Sequence, residues 1–189
     1  MLHINLTVGR VVATGTGFLT AAIAGYISVC FLEVIESTSA GETNIQFTET
    51  DWKEWFWTLP TTLGMVAISA AVGWIISLAL PVSAWWPVFV SIFLTYPILQ
   101  LSTLETGSPL APFSPPILRS IARHPLHWLG LYGISLVMTG ILYGILAFAW
   151  RDPPYATMLV MGPIVTAALF FYGWLLGQLA HFFITAEEV

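Results

Sequence analysis

Charged residues are scarce in this chain: five lysines and arginines and ten aspartates and glutamates occur among its 189 residues. They make up 8% of the chain, whereas soluble domains carry roughly 25%. Because 57% of the residues are hydrophobic, there is too little polar surface to cover a water-soluble particle. The composition therefore indicates an integral membrane protein. A net charge of −5 also argues against binding nucleic acid through a basic patch.

Cysteine is almost absent as well. Cys30 is the single one, which excludes an internal disulfide and any metal site built from several thiolates. The sequence also lacks a glycine-rich phosphate loop, a nucleophile elbow and the histidine–glutamate pair of zinc proteases. No charged residue lies near the middle of an apolar stretch, where ion and proton pumps usually keep one. No catalytic or metal-ligating residue is therefore predicted.

What the chain does contain is five apolar stretches, each long enough to cross a bilayer, which takes about 20 residues. Prolines and tryptophans near residues 81–87 divide the second stretch from the third, so we expect a tight helical hairpin there. The prediction is one all-α transmembrane domain over residues 1–189. Its spans are residues 11–34, 61–80, 85–101, 126–150 and 158–184, and its extramembrane loops are residues 35–57 and 102–125.

An odd number of spans places the two termini on opposite sides of the membrane. We call the side of the N-terminus face A and the other side face B; face B holds both long loops and the C-terminus. Lysines and arginines near span ends set orientation, and they are nearly balanced. Arg10 and Arg151 lie on face A, against Lys53, Arg119 and Arg123 on face B. A cytoplasmic face B, and with it a cytoplasmic C-terminus, is favoured only weakly.

Each face B loop predicts a short helix resting at the membrane surface. Asp51 and Glu54 have capping-box spacing, so one helix should start near Trp52, ahead of the second span. Ser114 and Pro115 suit the N-cap and first turn of another helix, which would run to Arg123 ahead of the fourth span. The first of these loops is acidic and aromatic, and it is predicted to meet a basic partner surface. The partner-facing residues are Glu42, Glu49, Asp51, Trp52 and Trp55.

Small residues recur every four positions in three of the spans, a spacing that lets helix backbones approach closely. These stripes could serve packing within one chain or assembly with other subunits, and the sequence leaves both open. The helix-packing residues are Gly17, Ala21 and Gly25 in the first span, Gly140 and Gly144 in the fourth, and Gly173 and Gly177 in the fifth.

Histidines give the best candidate for a binding site. His124 and His127 begin the fourth span and His181 ends the fifth, so antiparallel neighbours would bring them to one depth at face B. With Arg123, they suit a lipid phosphate or a quinone carbonyl, and His127 and His181 on facing helices suit haem iron. Interfacial histidines more often have structural or headgroup-facing roles, so no cofactor is firmly implied. Two ligands also do not define a zinc site.

Two segments, Leu101–Ser120 with its proline-rich centre and Phe171–Ala180, resemble parts of uncharacterised polytopic bacterial inner-membrane proteins. The resemblance implies a bacterial inner-membrane location and no activity. The residues themselves favour a non-catalytic structural or accessory subunit of a larger membrane complex. A small homo-oligomeric channel or transporter and a haem- or quinone-associated electron-transfer subunit remain alternatives. The expected partners are membrane lipids and either other membrane subunits or further copies of the chain.

Overall fold

The computed structural model describes the backbone of residues 2–42, 52–79, 85–108, 113–149 and 154–187. Over these ranges the chain is helical and contains no strand, and five of the helices are long and apolar enough to cross a membrane. The predicted all-α bundle with five spans is therefore confirmed. The helices are α1 (Leu2–Ser39), α2 (Trp52–Ala79), α3 (Trp85–Thr106), α4 (Pro115–Arg123), α5 (Pro125–Ala149) and α6 (Pro154–Glu187).

The two short helices predicted in the face B loops differ in outcome. The second is α4, which covers the predicted residues, with Ser114 at the N-cap position and Pro115 in the first turn. The first is not separate, because α2 runs without a break from Trp52 through Pro60 into the second span. A proline in a long helix removes one backbone hydrogen bond and can bend the helix without ending it. Whether either segment rests at the membrane surface stays a prediction.

Helices α1 and α6 run parallel and pack closely through the glycines of α6. A Cβ added to Gly173 would lie 3.0 Å from the ring of Phe31. One turn further on, a Cβ added to Gly177 would lie 2.5 Å from Cβ of Thr38 and 2.8 Å from the carbonyl oxygen of Ile35. Contacts therefore advance toward the C-terminus in both helices. This parallel arrangement is the one expected for the first and fifth spans of a five-span protein.

Helices α2 and α3 also approach each other closely, at a glycine that is not among the predicted helix-packing residues. A Cβ on Gly73 would come within 2.5 Å of both the Pro87 carbonyl oxygen and Cα of Val88. One turn away, the Ser91 hydroxyl donates a hydrogen bond of 2.7 Å to the carbonyl oxygen of Ser69. The signal in the sequence was Ser69-x-x-x-Gly73, a small-residue pair whose first member is serine.

The buried core lies toward face B, where α1, α3, α4, α5 and α6 meet. Phe31 and Ile35 from α1, Ile117 from α4, Trp128 from α5 and Leu176 from α6 belong to one cluster. Short α4 contacts both α3 and α5. It therefore closes the end of the bundle that carries the candidate site.

We expect Gly177→Leu to destabilise the fold, because the new side chain has no space against Thr38 and Ile35. Overpacking of this kind costs about 1–3 kcal/mol. The measurement is thermal unfolding of the purified protein in mild detergent. Gly162→Leu is the matched control, since no described atom beyond its own helix lies within 4 Å of that position. Equal melting temperatures for the two variants would contradict the close α1–α6 contact.

Candidate functional site

The C-terminal end of α1 forms the centre of the face B surface. Gly41 adopts a positive φ of 76°, its N–H donates to the Thr38 carbonyl, and the N–H of Glu42 donates to the Ser37 carbonyl. This pair of bonds is a Schellman motif, which ends a helix by satisfying its last carbonyl groups. Glycine suits the position because the left-handed backbone carries no steric cost without a Cβ.

His181 completes this helix end from the neighbouring α6. Its Nδ1 lies 3.0 Å from the carbonyl oxygen of Ser39. A carbonyl oxygen can only accept, so Nδ1 carries the proton in this bond. The ring also lies close against Gly41, where an added Cβ would be 2.9 Å from Cε1. His181 therefore fastens the end of α6 to the end of α1.

The other two histidines of the candidate site, His124 and His127, belong to an aromatic cluster between α5 and α6. The ring of His127 stacks on Phe182 with centroids 3.8 Å apart, and His124 lies edge-on to the same ring at 5.3 Å. Consecutive side chains on a helix diverge by about 100°, so Phe182 and His181 leave α6 in different directions. The structure thus brings His124 and His127 together and places His181 against α1. Of the pair predicted for haem, His127 on α5 therefore contacts Phe182, whereas His181 on α6 contacts the end of α1.

Two arginines of α4 supply positive charge beside His124. Arg119 and Arg123, four residues apart on α4, line a pocket of about 460 Å³ together with His124. The pocket lies between α4 and the last turns of α6, where Phe183 and Ala186 form its apolar side. Both arginines are exposed and His124 is half-buried. Within the described residues neither arginine forms an ion pair.

Two hydrogen bonds hold α4 in place beneath these arginines. Trp128, which is buried, donates from Nε1 to the Ser120 hydroxyl at 3.1 Å, and that hydroxyl donates to the carbonyl of Ile117. At the other end of α4, the Ser114 hydroxyl donates to the carboxylate of Glu105 at the end of α3. The N-cap serine is therefore used for an interhelical bond and makes no side-chain cap. The α4 backbone is thus tied to both α3 and α5.

Elsewhere in the bundle, the described residues contain two further cavities. One of about 340 Å³ lies between α1, α2 and α3, and Gln100 forms part of its lining. The amide of Gln100 is buried, and both its Nε2 and its Oε1 have no hydrogen-bond partner in the described chain. The second cavity, about 270 Å³, separates α5 from α3 and α6 and is mostly apolar.

The glycine stripe of α5 has no neighbouring helix among the described side chains. No described atom beyond the surrounding helix lies within 4 Å of a Cβ placed at Gly140 or Gly144. The same holds for Gly25 in α1, although that residue is buried, and Ala21 is exposed. The side chains at several predicted positions lie outside the described residues. These positions are Gly17, Glu49, Asp51, Trp52 and Trp55, whereas Glu42 is described and exposed.

No family model, curated protein or solved structure matches this chain. The resemblance of two segments to uncharacterised bacterial inner-membrane proteins therefore remains an expectation, as does the bacterial inner membrane itself. The five apolar helices support an integral membrane protein in contact with lipid. Among the described residues no group of three or more histidine, cysteine or acidic side chains is placed to hold a metal ion.

His181→Phe should lower the melting temperature, because it keeps an aromatic ring but leaves the Ser39 carbonyl without its donor. The net loss of one hydrogen bond at this half-buried helix end costs about 0.5–1.5 kcal/mol. Thermal unfolding in detergent measures the loss. His127→Phe is the control, since its ring lies on Phe182 without a hydrogen bond to lose. A loss at His127 as large as that at His181 would contradict the capping role.

Gln100→Met is expected to raise stability, because it replaces an amide without partners by an apolar side chain of similar size. Relief of two unsatisfied groups predicts a gain of about 1–3 kcal/mol. The same change at Gln178, which is exposed on α6, should have little effect. If the Gln100 variant melts earlier than the parent protein, the amide has a partner that the described chain does not include.

Proposed function

We propose that the protein is a non-catalytic accessory subunit of a larger membrane assembly, and that α5 receives a transmembrane helix of another subunit. The observation that carries this proposal is the open glycine face of α5, defined by Gly140 and Gly144. Both residues are exposed, and no described atom beyond their own helix lies within 4 Å of a Cβ placed there.

Comparison with the other glycine contacts supports the proposal. Gly177 of α6 faces α1 and Gly73 of α2 faces α3 at distances that leave no room for a Cβ, and Gly173 meets the Phe31 ring of α1 in a tight contact. Glycine costs roughly 1 kcal/mol relative to alanine inside a helix, and close packing is what offsets that cost in a membrane. On α5, Gly140 and Gly144 lower the helix propensity in the same way, but no described helix packs closely against them. A partner helix on this face would supply that close packing.

The charge distribution favours a different protein over a second copy. Ten acidic residues occur in the chain, and Asp152 alone lies on face A, which leaves nine on or near face B against three basic residues. Two copies inserted with one orientation would bring their acidic faces together, which is unfavourable within a Debye length of about 10 Å. A partner with basic residues on face B would instead be attracted to these acidic residues.

Three threonine hydroxyls argue against a polar path at their own positions, whereas the buried hydroxyls of Ser69 and Ser135 have no hydrogen-bond partner in the described chain. The hydroxyls of Thr20, Thr139 and Thr166 all donate to carbonyl oxygens of their own helices, at 2.8–2.9 Å. Such back-bonding leaves the hydroxyl proton unavailable to a passing ion or solute. The electron-transfer alternative has less support, because His127 packs on Phe182 and His181 bonds to the Ser39 carbonyl.

The experiment places a photoreactive amino acid at Val137, one turn before Gly140 and 63% exposed. After illumination of native membranes, we expect stoichiometric cross-linking to a spanning segment of one other membrane protein, mapped by mass spectrometry. The same label at Leu78 of α2, which is 75% exposed, is the control and should cross-link to lipid. Gly140→Leu combined with Gly144→Leu should abolish the cross-link and the co-purification of that protein, while the melting temperature of the isolated chain does not fall.

Two results would contradict the proposal. Cross-linking of Val137 to a second copy of this chain would indicate a homo-oligomer and would lead to flux measurements in liposomes. A purely lipid adduct at both positions, with a monomer in mild detergent, would mean that α5 has no protein partner.

A further inference from the structure

We propose that the pocket between α4 and the end of α6, lined by Arg119, Arg123 and His124, binds a phosphate group. The group can be carried by a phospholipid headgroup or by a soluble phosphate, and the two sources share the chemistry that the pocket recognises. This inference does not depend on the partner proposed for α5.

The first argument is charge. The chain as a whole is acidic, with a net charge of −5, yet two of its five basic side chains line one pocket. Among the described residues that line it there is no carboxylate, and neither arginine has an ion-pair partner in the part of the chain that is described. Two guanidinium groups next to a histidine make a local site for an anion. Guanidinium donors match phosphate oxygens in pairs and bind them through charge-assisted hydrogen bonds.

The second argument is that the pocket is built on a fixed element. Arg119 and Arg123 lie one turn apart on α4, and α4 is held by the Trp128–Ser120 bond within the buried core. The Ser120 hydroxyl is already used twice, as acceptor from Trp128 and as donor to Ile117. The ligand donors are therefore the two arginines and the ring of His124, held on a rigid backbone. Preorganised donors of this kind lower the entropy cost of binding.

The third argument concerns depth and favours the lipid as the source. The apolar side of the pocket consists of Phe183, Ala186 and Pro116. Phe183 and Ala186 are in the last turn of the fifth span, which extends over Met161–Ala186. The pocket therefore lies where a span meets the headgroups, with cationic groups for a phosphate and apolar groups for the glycerol and upper acyl chain.

The experiment uses the full chain, delipidated in a neutral detergent, and measures binding by native mass spectrometry and by the shift in melting temperature. The ligands are phosphatidylglycerol, phosphatidylcholine and inorganic phosphate. We expect phosphatidylglycerol to bind and to stabilise the protein. Arg119→Gln and Arg123→Gln should each weaken binding about tenfold, since a hydrogen bond to a charged group contributes roughly 1.5–3 kcal/mol.

Two sets of variants make the result decisive. Arg10→Gln, which removes a basic residue from face A, is the control and should leave phosphatidylglycerol binding unchanged. Arg119→Lys with Arg123→Lys keeps the charge but removes the paired donors, so binding should weaken even though the net charge is constant. Far-ultraviolet circular dichroism establishes that each variant is folded before binding is compared.

The binding results distinguish a phospholipid from a soluble phosphate as the ligand. Arginine-dependent binding of phosphatidylglycerol that inorganic phosphate does not displace supports the lipid. Arginine-dependent binding of inorganic phosphate at a similar affinity supports the soluble ligand. The proposal is overturned if no phosphate-bearing ligand binds, or if Arg10→Gln weakens binding as much as the α4 variants, because attraction would then be general and not located in this pocket.

Discussion

Helices inside a bilayer gain little from hiding apolar surface from one another, because the lipid tails are equally apolar. Close contact between backbones must therefore supply much of the attraction. In this protein the contact is made at Gly177 against Ile35 and Thr38, and at Gly73 against Pro87 and Val88. These two approaches define a parallel pair, α1 with α6, and an antiparallel pair, α2 with α3. The remaining helices, α4 and α5, are placed by the core that the first pair forms toward face B.

Because α1 and α6 run parallel, their C-terminal ends lie together, and polar side chains concentrate at that end of the bundle. This arrangement brings the C-terminus of α1 beside the last turns of α6, so that His181 can donate to the Ser39 carbonyl. The chain between α3 and α5 crosses the same end as α4 and carries Arg119 and Arg123. Polar groups that would be costly at mid-bilayer are thereby collected where water and headgroups are available. The opposite end of α5 is left with an open glycine face.

Much of the fold could be predicted from local features. Apolar runs located the five spans, and Ser114 with Pro115 located the start of α4, because proline suits the first turn of a helix. A helix does start at Trp52 as predicted, but it is not a separate short one, since it continues through Pro60 into the second span as α2. The candidate site was predicted only in part. Arg123 and the histidines were placed at the right end, but Arg119 was not assigned to the site, and Gly73 was missed because its partner in the stripe is Ser69.

Composition and the length of apolar runs by themselves determined that this chain spans a membrane with five helices, because those properties depend on each segment and its solvent alone. Tertiary structure decided which of the similar glycine pairs is used inside the chain: Gly173 and Gly177 meet α1, whereas Gly140 and Gly144 meet no described atom of another helix. It also decided that His181 joins α1 while His127 joins Phe182. The physical reason is that a periodic pattern marks a face of a helix but does not identify the neighbour. Adjacent residues on α6 point about 100° apart, so a shared depth in the membrane does not bring two side chains to one site.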